Sequence, residues 1–293
     1  MEYTLTNEIL EVKFTTVGAE CTRVYNKQKK IEYLWDANPK YWARHAPVLF
    51  PIVGKLTDNE YIFNNQVFEM SQHGFARDKE FKLFVQQDDL ISFYLEADEE
   101  TRKLYPFDFR LKITYQLKDD QLEITYQVDN LDNQVIYASI GGHPAFNVPF
   151  LPNTNFEDYR ITIQNKQDKL YKYPLEGMYI DKDNRTLSEK PFDMQITHEL
   201  FENDALIYET PGKTSIELSY KDQKNKIVMT YDHCDFVGIW SPYPTQAPFV
   251  CLEPWNGIAD VTDSNKNLKN KFKIQEIAID SFFRTSYTMK FQS

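Results

Sequence analysis

Four short segments interrupt an otherwise regular alternation of polar and apolar residues, and they gather most of the residue types that can do chemistry. They are "WARHAPVLFPIVGKL" (42–56), "MSQHGFARDKEF" (70–81), "SIGGHPAFNVP" (139–149) and "APFVCLEPWNGIADV" (247–261). Between them they hold His45, His73, His143, Arg44, Arg77, Glu253 and Asp260. A structural zinc site wants several Cys or His ligands at short spacing, and the nearest approach, His233 beside Cys234, has no second pair, so no metal is expected. No G-x-S-x-G elbow, P-loop or dinucleotide fingerprint is present, and none of the three cysteines sits in a recognisable nucleophile context. What remains is a histidine and a carboxylate in glycine- and proline-punctuated loops, a combination suited to cofactor-free proton transfer.

Each of these residues also has a plainer reading. Gly141 and Gly142 can make a tight turn before His143, or clear space for something that approaches it. Glu253 closes the apolar run "FVCLEPW", and a carboxylate buried there must be paired, neutralised or used. Arg44 and Arg77 are available as its partners, and Trp42 and Trp255 read more readily as core than as sugar platforms.

The elements that must position these groups are strands. In "LKITYQLKDDQLEITYQV", Leu111, Ile113, Tyr115 and Leu117, then Leu122, Ile124, Tyr126 and Val128, fall on one face. Polar residues take the other face, so the stretch predicts a hairpin turning at "KDD". Further strands are expected at 9–14, 91–97, 159–164, 214–220, 225–231 and 284–291, and short helices at 98–105 and 194–203. Tyr and Phe, at 19 and 21 copies, suit strands and large cores. Many closely spaced strands with few helices favour an all-β fold, a large antiparallel β-sandwich. No linker, repeat or low-complexity tract divides the chain, so one domain over residues 1–293 is expected.

A net charge of −11 and the lack of a basic run argue against nucleic-acid and membrane-surface partners. "MEYTLTNEIL" does not read as a secretory leader, and an odd cysteine count without CxxC spacing points to a reduced, cytoplasmic setting. The sequence leaves the oligomeric state open.

Taken together, the segments resemble those of the aldose 1-epimerases, the galactose mutarotase-like proteins. "GGHPAFNV" is similar to the family's histidine motif and "FVCLEPW" to its catalytic-base motif. "RHAPVLFPIVG", "HGFAR" and "LFENDALIY" (200–208) resemble the branch that includes hexose-6-phosphate epimerases and LacX. The likeness spans residues 10 to 290 in order. It implies a β-supersandwich and a cofactor-free interconversion of the α- and β-anomers of a hexose. Glu253 would be the base, His143 the acid, and Arg44, His73, Arg77 and Asp204 would hold sugar hydroxyls.

Anomer exchange opens a hemiacetal, turns the aldehyde and recloses the ring on its other face. One proton must leave the anomeric hydroxyl while another reaches the ring oxygen. A carboxylate near His143 is expected to favour its imidazolium form and keep it an acid. Two other functions compete. In a hexose-6-phosphate epimerase, Arg44 and Arg77, with help from Lys55, would clamp the phosphate. A non-catalytic sugar-binding sandwich would use the same loops, but has no need of the acid/base pair.

Overall fold

A computed structural model describes residues 1–222 and 224–292. The alternation predicted for the central hairpin is realised as the strands Phe109–Lys118 and Gln121–Asn130, with Leu117 paired to Leu122. The turn is made at Asp119, whose left-handed φ of 50° is one that Asp tolerates. Leu111, Ile113, Leu122 and Ile124 are buried, while Lys112, Gln116 and Glu123 face outward. These strands lie in a nine-stranded antiparallel sheet. Its order runs from Phe192–Gln195 through Tyr159–Asn165, Thr214–Tyr220, Lys226–Tyr231, Phe282–Gln292, Gln121–Asn130, Phe109–Lys118 and Leu90–Glu96 to Lys82–Gln86. Each strand expected from periodicity is found within a residue or two of its predicted bounds.

A second, eight-stranded sheet carries the site. Its path passes from Thr186–Glu189 through Lys169–Tyr173, Leu206–Glu209, Phe236–Trp240, Phe249–Asn256 and Ile140–Gly142 to Val48–Leu49, and Ala145–Asn147 pairs beside it. One large apolar cluster joins the inner faces of both sheets, including Ile161, Ile216 and Leu122 from the first and Ile239, Val250 and Leu252 from the second. Phe249, Cys251 and Trp255 belong to separate small clusters. The strand is buried on both sides, and its odd-numbered residues, Glu253 among them, face away from the main core.

The helix expected at 98–105 is present as Glu99–Leu104, capped by Asp98 and Thr101 in a reciprocal capping box. The helix expected at 194–203 is not. Phe192–Gln195 is instead an edge strand paired to Tyr159–Asn165, with the Arg160 and Asp193 side chains bridging at 2.8 Å. Only His198–Phe201 coils, as a 3-10 turn. Ladder hydrogen bonds to a neighbouring strand outweigh a short helical pattern that no second turn supports. Among the described residues, no helix is long and apolar enough to cross a membrane.

Candidate active site

Strand register brings the two principal residues together. Ile140 pairs with Asn256, Gly141 with Trp255 and Ala145 with Cys251. That numbering carries across the interruption at 142–144, so His143 comes to lie opposite Glu253. The His143 amide donates to the Pro47 carbonyl at 3.1 Å, and the Leu252 amide donates to the Pro144 carbonyl at 3.2 Å. His143 Nε2 then lies 3.1 Å from Glu253 Oε2, with side chains only 8% and 2% exposed.

The paired glycines do not clear room for a ligand, nor do they form a turn. They lie in the strand Ile140–Gly142. A Cβ on Gly141 would meet Trp255 Cδ1 at 2.5 Å, and one on Gly142 would meet Tyr287 Oη at 2.5 Å and Tyr126 Oη at 2.9 Å. What they admit is the protein's own aromatic packing.

The His143–Glu253 contact opens onto a cavity of about 460 Å³. The six residues to which the family resemblance gives roles all line it: Arg44, His73, Arg77, His143, Asp204 and Glu253. His73 has a left-handed φ of 66° and accepts the Gly54 amide on Nδ1 at 3.1 Å. That bond places the proton of the neutral ring on Nε2. Arg77 Nη2 donates to the Gln72 carbonyl at 2.7 Å, and Arg44 Nη2 donates to Asp78 Oδ1 at 2.9 Å. The arginines therefore lean on Asp78 and a backbone carbonyl, and Glu253 takes His143 as its partner. Asp204 has a φ of 70°, and burial raises its carboxyl against the pull of the Ala205 amide and the Trp240 indole. His45 and Asp260 play other parts. The Glu20 carboxylate accepts the amides of His45 and Ala46, while buried Asp260 accepts the Thr57 amide and pairs with buried Lys271 at 3.3 Å.

The charge state differs from the sequence expectation. Burial pushes His143 down to about 3, and Arg77 and Arg44 push it the same way. Burial also raises Glu253 well above the usual carboxyl range; the charge of Asp204 adds to that, and the Trp255 indole opposes it. Burial disfavours the charged form of both partners and so opposes the attraction a carboxylate offers an imidazolium. Both shifts run toward the neutral pair, imidazole beside carboxylic acid. His73 is likewise held well below the ordinary imidazole value, by burial first and then by His143, Arg77 and Arg44. Burial lowers Arg77 to about 10.

Sequence reasoning missed the cavity's aromatic wall. Trp42, read as core, stacks on the His143 ring at 4.8 Å and 28°, and Trp240 meets that ring edge-on at 5.7 Å. Trp42 stands two residues before Arg44, which was the available signal; Trp240 opens the "WSPYPTQAP" loop and carried none. Gln72, Lys55 and Met178 also line the cavity. Cys251 sits against the pair: its Sγ, a ring nitrogen of His143 and a carboxylate oxygen of Glu253 lie within 4.8 Å of one another.

A strand-built sandwich with a buried histidine–carboxylate pair facing a cavity defines a class that the family comparison names. The Aldose 1-epimerase family model matches residues 1–275; the chain belongs to that family and is a sugar-epimerising isomerase. A galactose mutarotase related enzyme from Lactobacillus acidophilus is 35% identical, with a TM-score of 0.97 over 100% of this chain and 98% of that one. A galactose mutarotase-like protein from Lactobacillus casei ATCC 334 is 27% identical, with a TM-score of 0.90 over 99% of each chain. LacX of Lactococcus lactis subsp. lactis is 28% identical over 285 residues, 94% of this chain and 95% of LacX.

Proposed function

We propose that the protein is an aldose 1-epimerase that interconverts the α- and β-anomers of a hexose, with Glu253 and His143 as its proton-transfer couple. The observation that carries this reading is the 3.1 Å contact between Glu253 Oε2 and His143 Nε2 at the wall of the cavity. Burial of both groups favours the neutral pair, with the shared proton on the carboxyl. Moving it to Nε2 gives the carboxylate and imidazolium that ring opening needs, and sugar hydroxyls donating to Glu253 stabilise that charge-separated form. Glu253 then takes the anomeric hydroxyl proton while His143 protonates the ring oxygen. Closure on the other face of the aldehyde returns both protons, so the couple ends as it began.

The aldehyde must rotate while the rest of the sugar stays in place. Arg44, Arg77, His73 and Asp204 surround the cavity and supply hydrogen bonds to the hydroxyls remote from the reacting carbon. Glu253→Gln and His143→Asn are each expected to slow anomer exchange by ~10²–10⁴-fold, in line with the removal of one positioned acid or base. Polarimetry, or saturation transfer between anomer signals, measures the rate, with near-ultraviolet circular dichroism to check the fold. Near-full exchange in either variant sinks the assignment, and sugar binding without any acceleration would make the protein a binding module.

A phosphorylated substrate is favoured by one specific feature. Arg44, Arg77 and Lys55 all line the same cavity, beside the carboxyl groups of Asp204 and Glu253, and Arg44 pairs with Asp78 outside that lining. Guanidinium groups match phosphate geometry. Exchange rates for glucose, galactose and their 6-phosphates separate the two substrate classes.

A further inference from the structure

Cys251 has no part in the proton transfer, yet its thiol is packed against both groups that do. It lies two residues before Glu253 on one strand, so both side chains leave the same face, and Ala145 pairs opposite it on the segment that carries His143. Among the described residues, His143, Cys251 and Glu253 are the one set of three His, Cys or carboxylate donors close enough to share an ion, with ligand atoms within 4.8 Å of one another. All three are buried. We propose that this triad is a binding site for a thiophilic divalent cation of the zinc class, and that the bound cation reversibly blocks the cavity's chemistry.

The donor set is one nitrogen, one oxygen and one sulfur, a mixture that zinc accepts readily. Bond lengths of ~2.0–2.3 Å in a tetrahedron place ligand atoms roughly 3.3–3.8 Å apart. The histidine–glutamate edge is already 3.1 Å and no edge exceeds 4.8 Å, so closing on an ion needs side-chain shifts of about 1 Å. Trp42, stacked at 4.8 Å, holds the imidazole plane while this happens. His143 and Glu253 line the cavity, which gives the ion its entry path, while Cys251 closes the site from behind them. Binding takes a thiolate, a carboxylate and a neutral imidazole; the thiol proton and the proton shared by the pair leave for solvent, with no change of oxidation state. Spacing in the sequence could not reveal such a site, because His143, in the link between two short strands, meets Cys251 and Glu253 only in the folded sheet. The other cysteines, Cys21 and Cys234, are buried elsewhere, and no comparable donor set surrounds either among the described residues.

Co²⁺ is the probe, because a cobalt–thiolate bond gives a near-ultraviolet charge-transfer band that can be read without turnover. Metal-free protein titrated with Co²⁺ is expected to develop this band, lose it on adding Zn²⁺, and show at least tenfold weaker Co²⁺ binding when saturated with a sugar that occupies the cavity. Cys251→Ser should abolish the band, while Cys21→Ser and Cys234→Ser should keep it. If the Cys251 variant fails to fold, Glu253→Gln, which preserves side-chain size, should still weaken Co²⁺ binding at least tenfold. No band in the wild type, a band that survives Cys251→Ser, or affinity indifferent to both sugar and Glu253→Gln would overturn the proposal. The binding is read from the band and stands or falls apart from the catalytic assignment; the block rests on that assignment, and anomer exchange at full rate in Zn²⁺-saturated wild type would overturn it.

Discussion

Three buried titratable side chains crowd one wall of the cavity, and none of them titrates in its ordinary range. His143 is pushed down to about 3 and His73 well below 6.5, while Glu253 is raised well above 4.5, each chiefly by burial. Below pH 6.5 an unfolded chain takes up imidazole protons that the native protein refuses, so the histidines erode stability as pH falls from 6.5 toward about 3. Above pH 4.5 an unfolded chain releases the Glu253 proton that the native protein keeps, so Glu253 erodes stability as pH rises. With two histidines on the acid side and one carboxyl on the alkaline side, their summed contribution peaks near pH 6.5. Urea midpoints measured across pH should therefore fall on the alkaline side, with a slope of up to ~1.4 kcal/mol per pH unit from Glu253. That alkaline loss should disappear in Glu253→Gln; an identical alkaline limb in the two proteins would mean that the carboxyl is already ionised. The identities of these residues were legible from their segments, but their protonation was not, because desolvation depends on packing that no local window contains.

Strand register fixes the His143–Glu253 geometry, and it does so with little tolerance. His143 reaches Glu253 because Gly141 and Gly142 let the strand Ile140–Gly142 pass between the Trp255 ring on one side and the Tyr126–Tyr287 hydroxyl pair on the other. Those hydroxyls are 3.2 Å apart and buried. Gly142→Ala should force them apart and strand a buried donor, lowering stability by about 1–3 kcal/mol. Gly141→Ala should cost a similar amount against Trp255, and chemical denaturation of both variants checks this; unchanged midpoints would show that the aromatic rings yield freely. Period-two strands such as Phe109–Lys118 and Gln121–Asn130 were readable because one face is buried and the other wet. Phe249–Asn256, buried on both faces, showed only an apolar run, and the role of its odd-numbered side appeared once its neighbours were in place. The segment at 194–203 misled for a related reason: its partner, Tyr159–Asn165, lies more than thirty residues away in the chain.

A molecule of net charge −11 turns three cationic side chains, Arg44, Arg77 and Lys55, toward one cavity. If that lining recognises a sugar phosphate, capture is electrostatic and screened by salt, with a Debye length of ~10 Å at 0.1 M. The KM for a hexose 6-phosphate should then rise severalfold between low and high ionic strength while that of the neutral hexose stays flat. Equal responses would assign the arginines to hydroxyls alone. Composition reported the global charge and hid this local reversal, which depends on residues 44, 55 and 77 converging in the fold. The nine-stranded sheet sets one more condition, on the birth of the protein. Phe282–Gln292 lies in the middle of that sheet, between Lys226–Tyr231 and Gln121–Asn130, although it follows both in the chain. At ~5–20 residues per second, a ribosome delivers it on the order of ten seconds after Gln121–Asn130. Until then two strands wait with open edges, the arrangement that invites wrong pairing. Every strand of the site-bearing sheet has by that time been made, so the cavity's residues leave the ribosome before the layer that must support them can close.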